Sequence, residues 1–351
     1  MNYNPIFIGI SGGKDSTALA LWARFESGWP LENIVFGFME TANEDPLTYA
    51  YLAYVSGVIA PSRIVVYNPG IGFYDLCKKK TRFPAVKTRF CTEELKIKPK
   101  HRLLARWIDD GFVPLNCTGV RTDEAHSGNN RGAAQRYEVE SFRLTDMERM
   151  EILLGVHRSD PEFNEYRAIL GGRNYTVDVC RPIVDWSIED VWDIHRRYLS
   201  VDAVVSLIEE DDNLSHVDEM IEKIRADNIA YNPLYAMGAK RVGCFPCFNS
   251  RKAEVRGMAR YRPGRIDDLR WLETWVGKEK DNVATFFPIN TTPKRFASKR
   301  MIAKDGTVCF VPTIDDVVVW SQTGRRGATH DQLDMFLADP PTMCSIGGNC
   351  E

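Results

Sequence analysis

Short apolar runs alternate with longer stretches of helical period through the first third of the chain. Ile6 to Ile10, Ile34 to Met39, Arg63 to Tyr67 and Pro114 to Thr118 read as buried strands, and Ser16 to Glu26, Leu47 to Ser56, Phe73 to Lys80 and Glu93 to Asp109 read as helices. That alternation predicts a doubly wound α/β fold, a mostly parallel sheet covered by helices on both faces. A ligand is then expected beyond the carboxyl ends of the strands.

From about residue 125 to residue 174 the strand signal fades into polar and charged sequence that opens with Gly128-Asn129-Asn130-Arg131-Gly132 and closes near Gly171-Gly172. The segment reads as an insertion, with one helical stretch from Met147 to Val156, either a substrate-facing loop or a solvated excursion. Regular structure resumes with a strand from Tyr175 to Ile183. Ser187 and Asp190, at capping-box spacing before Ile188, Val191 and Trp192, then start a helix. Residues 200 to 351 read as mainly helical until a late strand near Val317 to Trp320.

At 351 residues the chain exceeds the usual single-domain size, which predicts one large core with an appended unit. The expected division is 1–200 for the sheet domain and 201–351 for the helical region. A net charge of -3 and a pI near 6.1 argue against coating nucleic acid by bulk charge, although Lys78-Lys79-Lys80-Thr81-Arg82 can steer a polyanion locally. No apolar run of ~18 residues occurs and no basic leader precedes the first strand, so a soluble, cytoplasmic protein without membrane contact is expected. Nine cysteines, an odd number in a long chain, suit reduced thiols or metal ligands better than a secreted disulfide framework.

Chemistry is concentrated at Ser11-Gly12-Gly13-Lys14-Asp15-Ser16, where the first strand breaks into a glycine pair and then a helix. The glycines let the backbone turn tightly, and the helix opened by Asp15 and Ser16 aims unpaired N–H groups and a positive dipole end at an anion. The pattern is not a Walker A loop, because Ile8 and Asp15 stand where that motif needs Gly and Ser or Thr. A second group, Arg89 to Lys96, offers Arg89 and Lys96 as phosphate cations and Cys91 near a helix start that favours a thiolate. A third, Cys117 to Glu124, places Gly119 for close backbone approach and Arg121 for bidentate contact with a phosphate or with a carboxylate that holds the loop. Asp123 and Glu124 read as helix caps or Mg contacts.

Ser11 to Ser16 resembles the loop of the PP-loop ATP pyrophosphatases, which split ATP between its α and β phosphates. With Glu40-Thr41, Glu44 to Tyr49, Cys91 to Lys96 with Pro99, Gly119 to Glu124, Arg181-Pro182-Ile183 and Trp186 to Trp192, the likeness over roughly residues 5 to 250 is to the phosphoadenosine phosphosulfate reductase family. This branch also includes the sulfur-transfer enzymes of DNA phosphorothioation. The resemblance implies ATP and Mg as ligands, an unidentified sulfur-donor protein as partner, an acceptor that is either a nucleic acid (DNA or RNA) or a small molecule, and Lys14, Asp15, Lys96 and Arg121 as catalytic groups. Ser11, Gly12, Gly13, Lys14, Asp15, Ser16 and Gly119 are expected to bind the nucleotide. The full Ser-Gly-Gly-x-Asp-Ser form and a tail that ends Cys344-Ser345-Ile346-Gly347-Gly348-Asn349-Cys350-Glu351, unlike the Glu-Cys-Gly end of true sulfate reductases, favour an ATP-using enzyme. A reductase and a non-catalytic nucleotide-binding partner are the rivals.

Gly243-Cys244-Phe245-Pro246-Cys247 supplies a C-x-x-C pair fit for one edge of a metal centre. Relatives with a 4Fe-4S cluster resemble this chain in drawing two ligands from such a pair and two from a Cys pair aligned with Cys91-Thr92, of which only Cys91 is present. Cys344 or Cys350, then Cys180, are the expected sources of a fourth ligand. Zinc held by Cys244, Cys247, Cys344 and Cys350, or a redox-active dithiol, remain open alternatives. Cys77, Cys117 and Cys309 read as core thiols. The six histidines show no ligand spacing and read as solvated or helix-surface groups. Trp271, Trp275, Phe286 and Phe287 near Lys294-Arg295-Phe296 suit helix packing better than base stacking.

Overall fold

The computed structural model describes residues 3–62, 64–122, 135–157, 159–161, 165, 170–279, 283–289, 292–302 and 306–324. β1 (Ile6–Gly9), β2 (Ile34–Met39), β3 (Ile64–Tyr67), β4 (Leu115–Cys117), β5 (Tyr137–Leu144) and β6 (Arg173–Cys180) form one sheet in the order β3-β2-β1-β4-β6-β5. Every pairing is parallel except that of β5 with β6. The order reverses at β1, between β2 and β4, so the loop after β1 opens at the switch point where an α/β sheet leaves a crevice.

β5 corrects the expectation of a strandless insertion between residues 125 and 174. Its sequence, Tyr137-Glu138-Val139-Glu140-Ser141-Phe142-Arg143-Leu144, alternates exposed with more buried positions, as an edge strand with one wet face must. α5 (Asp146–Leu154) follows it, started by a capping box between Thr145 and Glu148.

The sheet separates two cores. On one face α1 (Lys14–Phe25), α2 (Pro46–Val58) and α6 (Ile188–Tyr198) cover Ile6, Ile8, Phe36, Cys117 and Cys180. On the other, α4 (Lys98–Asp109) and α5 cover Phe7, Phe142, Tyr175 and Val177. α3 (Phe73–Lys80) adds Phe73, Leu76 and Cys77 to the first core. The later helices α7 (Val201–Glu209), α8 (Val217–Asp227), α9 (Lys252–Tyr261) and α10 (Gly264–Glu279) join that first core through Val204, Ile224, Met258 and Leu269.

A buried ion network joins the two halves. Asp45 caps α2 by accepting the Leu47 N–H at 3.0 Å and receives Arg262 Nε at 3.0 Å and Nη2 at 2.9 Å. Arg262 also donates to Asp211 at 2.8 Å. The predicted late strand is a second correction: Val317 to Trp320 lie inside α11 (Ile314–Ser321), because Thr313 and Asp316 form a capping box ahead of the valine run. The strands of this region are β7 (Lys299–Ile302) and β8 (Val308–Val311), an antiparallel pair.

Candidate functional site

The loop after β1 takes the shape its glycines permit. Gly12 has φ +75°, a left-handed conformation that an L side chain adopts at a cost, and an added Cβ would crowd Asn232 and Thr48 at 3.2 Å. Gly13 then caps α1 with extended backbone and no side-chain hydrogen bond. The helix begins at Lys14, one residue before the expected Asp15. Ser16 Oγ donates to the Gly13 carbonyl at 3.0 Å and accepts the Ser11 N–H at 3.2 Å, which closes the turn on itself.

The charged side chains of the loop are paired with one another. Asp15 accepts Arg121 Nε at 2.6 Å on one oxygen and Lys14 Nζ at 2.7 Å on the other. Arg121 is 4% exposed and also reaches the Trp186 carbonyl at 3.3 Å. Of the two partners the sequence allowed for Arg121, a phosphate or a carboxylate that holds the loop, the structure joins it to the carboxylate. Gly119 lets this happen: a Cβ there would stand 2.9 Å from the Asp15 carbonyl oxygen.

Two further groups hold the loop and were not singled out by the sequence pattern. The Tyr235 hydroxyl accepts the Lys14 N–H at 3.0 Å, and His195 Nε2 stands 2.9 Å from the Lys14 carbonyl oxygen. His195 is fully buried, so its reading as a solvated or helix-surface histidine is corrected. Burial pushes its pKa below the ordinary imidazole value despite the two backbone carbonyls, of Lys14 and Ala230, that favour the charged ring. The signal available in the sequence was position alone: His195 lies one turn after Val191 on the inward face of α6.

A cavity of about 310 Å³ opens beside the loop, over the ends of β1, β2 and β4. Ser11, Gly9, Phe38, Thr118, Gly119 and Lys96 are among its walls. Lys100, also on the wall, is held by Glu140 of the edge strand at 2.9 Å, and Asn116 and His101 bond the same carboxylate at 3.0 and 2.8 Å. Burial alone would raise Glu140; His101 and Lys100 overcome it and bring its pKa down to about 2.

A neighbouring cleft of about 240 Å³ gathers Cys91, Cys244, Cys247 and Lys96. Lys96 and Gly243 line both cavities. Beneath them Thr41 Oγ1 lies 3.4 Å from Cys244 Sγ and donates to Glu44 at 2.8 Å. Burial raises the Glu44 carboxyl above its ordinary value, opposed by Lys96. Burial would depress Lys96, yet Cys244, Glu44, Cys247 and Cys91 outweigh it and its pKa rises. Burial also raises the thiols of Cys91 and Cys247, the latter to about 11. Among the described residues no three His, Cys, Asp or Glu side chains already form an array that could hold a metal ion.

The sequence-expected cysteines therefore divide. Cys91, Cys244 and Cys247 come together; Cys180, the reserve ligand, stands instead against Cys117 on β4. Cys77 and Cys117 are buried, whereas Cys309, expected in the core, is half-buried. Cys344, Cys350, Asp123 and Glu124 lie outside the described residues. Phe286 and Phe287 pack in the core, consistent with helix packing, and Trp271 is 52% exposed under Lys78.

Residues 5–201 match the phosphoadenosine phosphosulfate reductase domain, more than half of the chain. The chain belongs to this family. It is also similar, at 24% identity over 98% of its length and 96% of the relative's, to an uncharacterized 37.8 kDa protein in the gpa 5' region of Escherichia phage 186. Among solved structures it is similar to a phosphoadenylyl-sulfate (PAPS) reductase from Candida auris in a phosphate complex, at 14% identity and TM-score 0.37, covering 70% of this chain and 83% of that one. Family membership places the chain among PP-loop proteins and points to nucleotide-dependent chemistry related to sulfur. No helix among the described residues is long and apolar enough to cross a membrane.

Proposed function

We propose that this protein binds ATP with Mg and transfers AMP to an acceptor oxygen, releasing pyrophosphate, so that sulfur can then displace the adenylate. The observation that carries this reading is the intact Ser11 to Ser16 turn, which opens α1 from Gly13 beside a cavity that shares Lys96 and Gly243 with a thiol-lined cleft. In the first step the acceptor oxygen bonds to the α-phosphorus and the bond from that phosphorus to the bridging oxygen breaks. Charge accumulates on the departing pyrophosphate. Main-chain N–H groups of the loop are the donors suited to it, with Lys14 and Lys96 as nearby cations.

Asp15 serves as loop organiser more readily than as a Mg contact, since Arg121 and Lys14 already occupy its oxygens. Arg121 then acts through Asp15. The adenosine half of ATP belongs in the cavity above β1, β2 and β4, between Phe38 and the Lys96 to Lys100 helix segment.

The soft donors of Cys91, Cys244 and Cys247 fit a 4Fe-4S cluster better than a hard ion, with Cys344 or Cys350 as the fourth ligand. Such a group, when bound, would supply redox or sulfur-carrying chemistry next to Lys96; zinc is the alternative. The acceptor fits a nucleic acid or a small molecule, and a separate protein is the expected sulfur donor. Pyrophosphate assayed on anaerobically purified protein with ATP tests the proposal. Pyrophosphate release supports it; sulfite from adenylyl sulfate instead would make the chain a reductase, and turnover of neither a binding partner.

A further inference from the structure

Cys117 and Cys180 sit on neighbouring parallel strands directly opposite each other in register. One row across the sheet runs Ile8, Cys117, Cys180 and Tyr137, and residues paired in this way point to the same face. Paired strands lie about 4.8 Å apart, inside the roughly 4.4–6.8 Å between Cα atoms that a disulfide spans. The two thiols are 1% and 3% exposed and unbridged. Their environment is polarised. The Cys117 thiol, Tyr137, Arg136 and Arg181 favour the Cys180 thiolate, whose pKa lies below the ordinary thiol value.

We propose that Cys117 and Cys180 are a redox-active cross-strand pair, an oxidation site that closes to a disulfide on exposure to a peroxide. In the first step the Cys180 thiolate attacks one peroxide oxygen, the O–O bond breaks, and water leaves with Cys180 as a sulfenic acid. The Cys117 sulfur then bonds to the Cys180 sulfur and expels a second water. Two thiols have lost two electrons and two protons; the peroxide has gained them. A thiol reductant reverses the bond by exchange, and strain from joining directly opposed strands favours that reversal.

The pair is wired to the phosphate loop. Thr118 N–H, next to Cys117, donates to the Cys180 carbonyl at 3.0 Å, and the following Gly119 packs on the Asp15 backbone with no room for even a Cβ. Closing the bond reshapes β4 at Cys117, and any shift there carries Thr118 and Gly119 against the start of α1.

The test is peptide mapping of the whole native protein after hydrogen peroxide, with remaining thiols blocked by N-ethylmaleimide before digestion. The expected product is a cross-linked peptide joining residues 117 and 180, lost on treatment with dithiothreitol and absent from Cys117→Ser and Cys180→Ala. Recovery of both cysteines as maleimide adducts while Cys244 or Cys247 has oxidised would overturn the proposal. A second arm rests on the ATP reading: oxidised wild-type protein should bind ATP about tenfold more weakly than reduced, and oxidised Cys117→Ser should not change. If the cross-link forms and ATP affinity holds, the coupling to the loop is wrong. Reduced wild-type protein that binds no ATP would refute the nucleotide reading and leave the cross-link result standing.

Discussion

The cavity beside the Ser11 to Ser16 loop and the cysteine cleft share Lys96 and Gly243 as a common wall, yet the loop and the cleft handle charge in opposite ways. In the loop, Asp15, Lys14 and Arg121 are bound to each other, and the Ser11 and Lys14 N–H groups are held by Ser16 and Tyr235, so the side chains fix the backbone. In the cleft, Glu44 and Lys96 are pushed above their ordinary values among three thiols, and no described array closes around a metal. A site whose charges satisfy one another is rigid before its ligand arrives. A site whose charges face soft donors is completed by what it binds.

The largest expected effect comes from breaking the loop's internal pairing. Asp15→Ala removes the carboxylate that accepts both Arg121 and Lys14, and should abolish pyrophosphate release while lowering stability by about 1–3 kcal/mol. Urea denaturation checks the second half; an unchanged midpoint would mean that Arg121 finds another partner and the loop is not self-held. On the cleft side, Cys244→Ser or Cys247→Ser should remove bound iron and its broad absorption near roughly 400 nm from anaerobic protein. A colourless wild-type protein holding tightly bound zinc would remove the contrast, because the cysteines would then be a structural clasp.

Glu273 offers an intermediate case, a carboxylate 6% exposed that accepts the Phe286 and Ile314 N–H groups at 2.8 and 2.9 Å. Burial raises its pKa from 4.5 to about 7. The folded protein therefore holds this proton more tightly than the unfolded chain, so the contribution is complete below about pH 4.5 and is lost as pH rises through 7, roughly 3 kcal/mol in all. Stability measured from pH 5 to 8 should fall, and Glu273→Gln should flatten that slope; equal slopes would mean the carboxylate is ionised throughout. The smallest effect is expected at Trp271, 52% exposed, where Trp271→Ala should change stability by less than about 0.5 kcal/mol and leave pyrophosphate release intact.

The sheet strands β1, β2 and β4 were legible because their burial is nearly uniform, which writes apolar runs, and β3 because its four residues are apolar or aromatic although Val65 and Val66 are exposed. β5 was not, since an edge strand with Glu138, Glu140 and Arg143 facing water or ion pairs carries too few apolar residues to stand out from a loop. Val317 to Trp320 misled in the other direction: three valines favour a strand, and the Thr313 and Asp316 cap overrides them. At the site, the loop and the Cys244 and Cys247 pair were readable from spacing, and the meeting of Cys91 with that pair was expected from the family resemblance. The hold of His195 and Tyr235 on Lys14 was not, because a hydrogen bond from a side chain to distant backbone leaves no periodic trace.

That hold has a consequence for the way the chain is made. The groups that fix Lys14 leave the ribosome 181 and 221 residues after it. At about 5–20 residues per second the N-terminal motif waits on the order of 10–40 s for them. A nascent chain therefore displays its nucleotide signature long before it can grip a nucleotide, and a truncated product that ends before Tyr235 carries the motif without the shape.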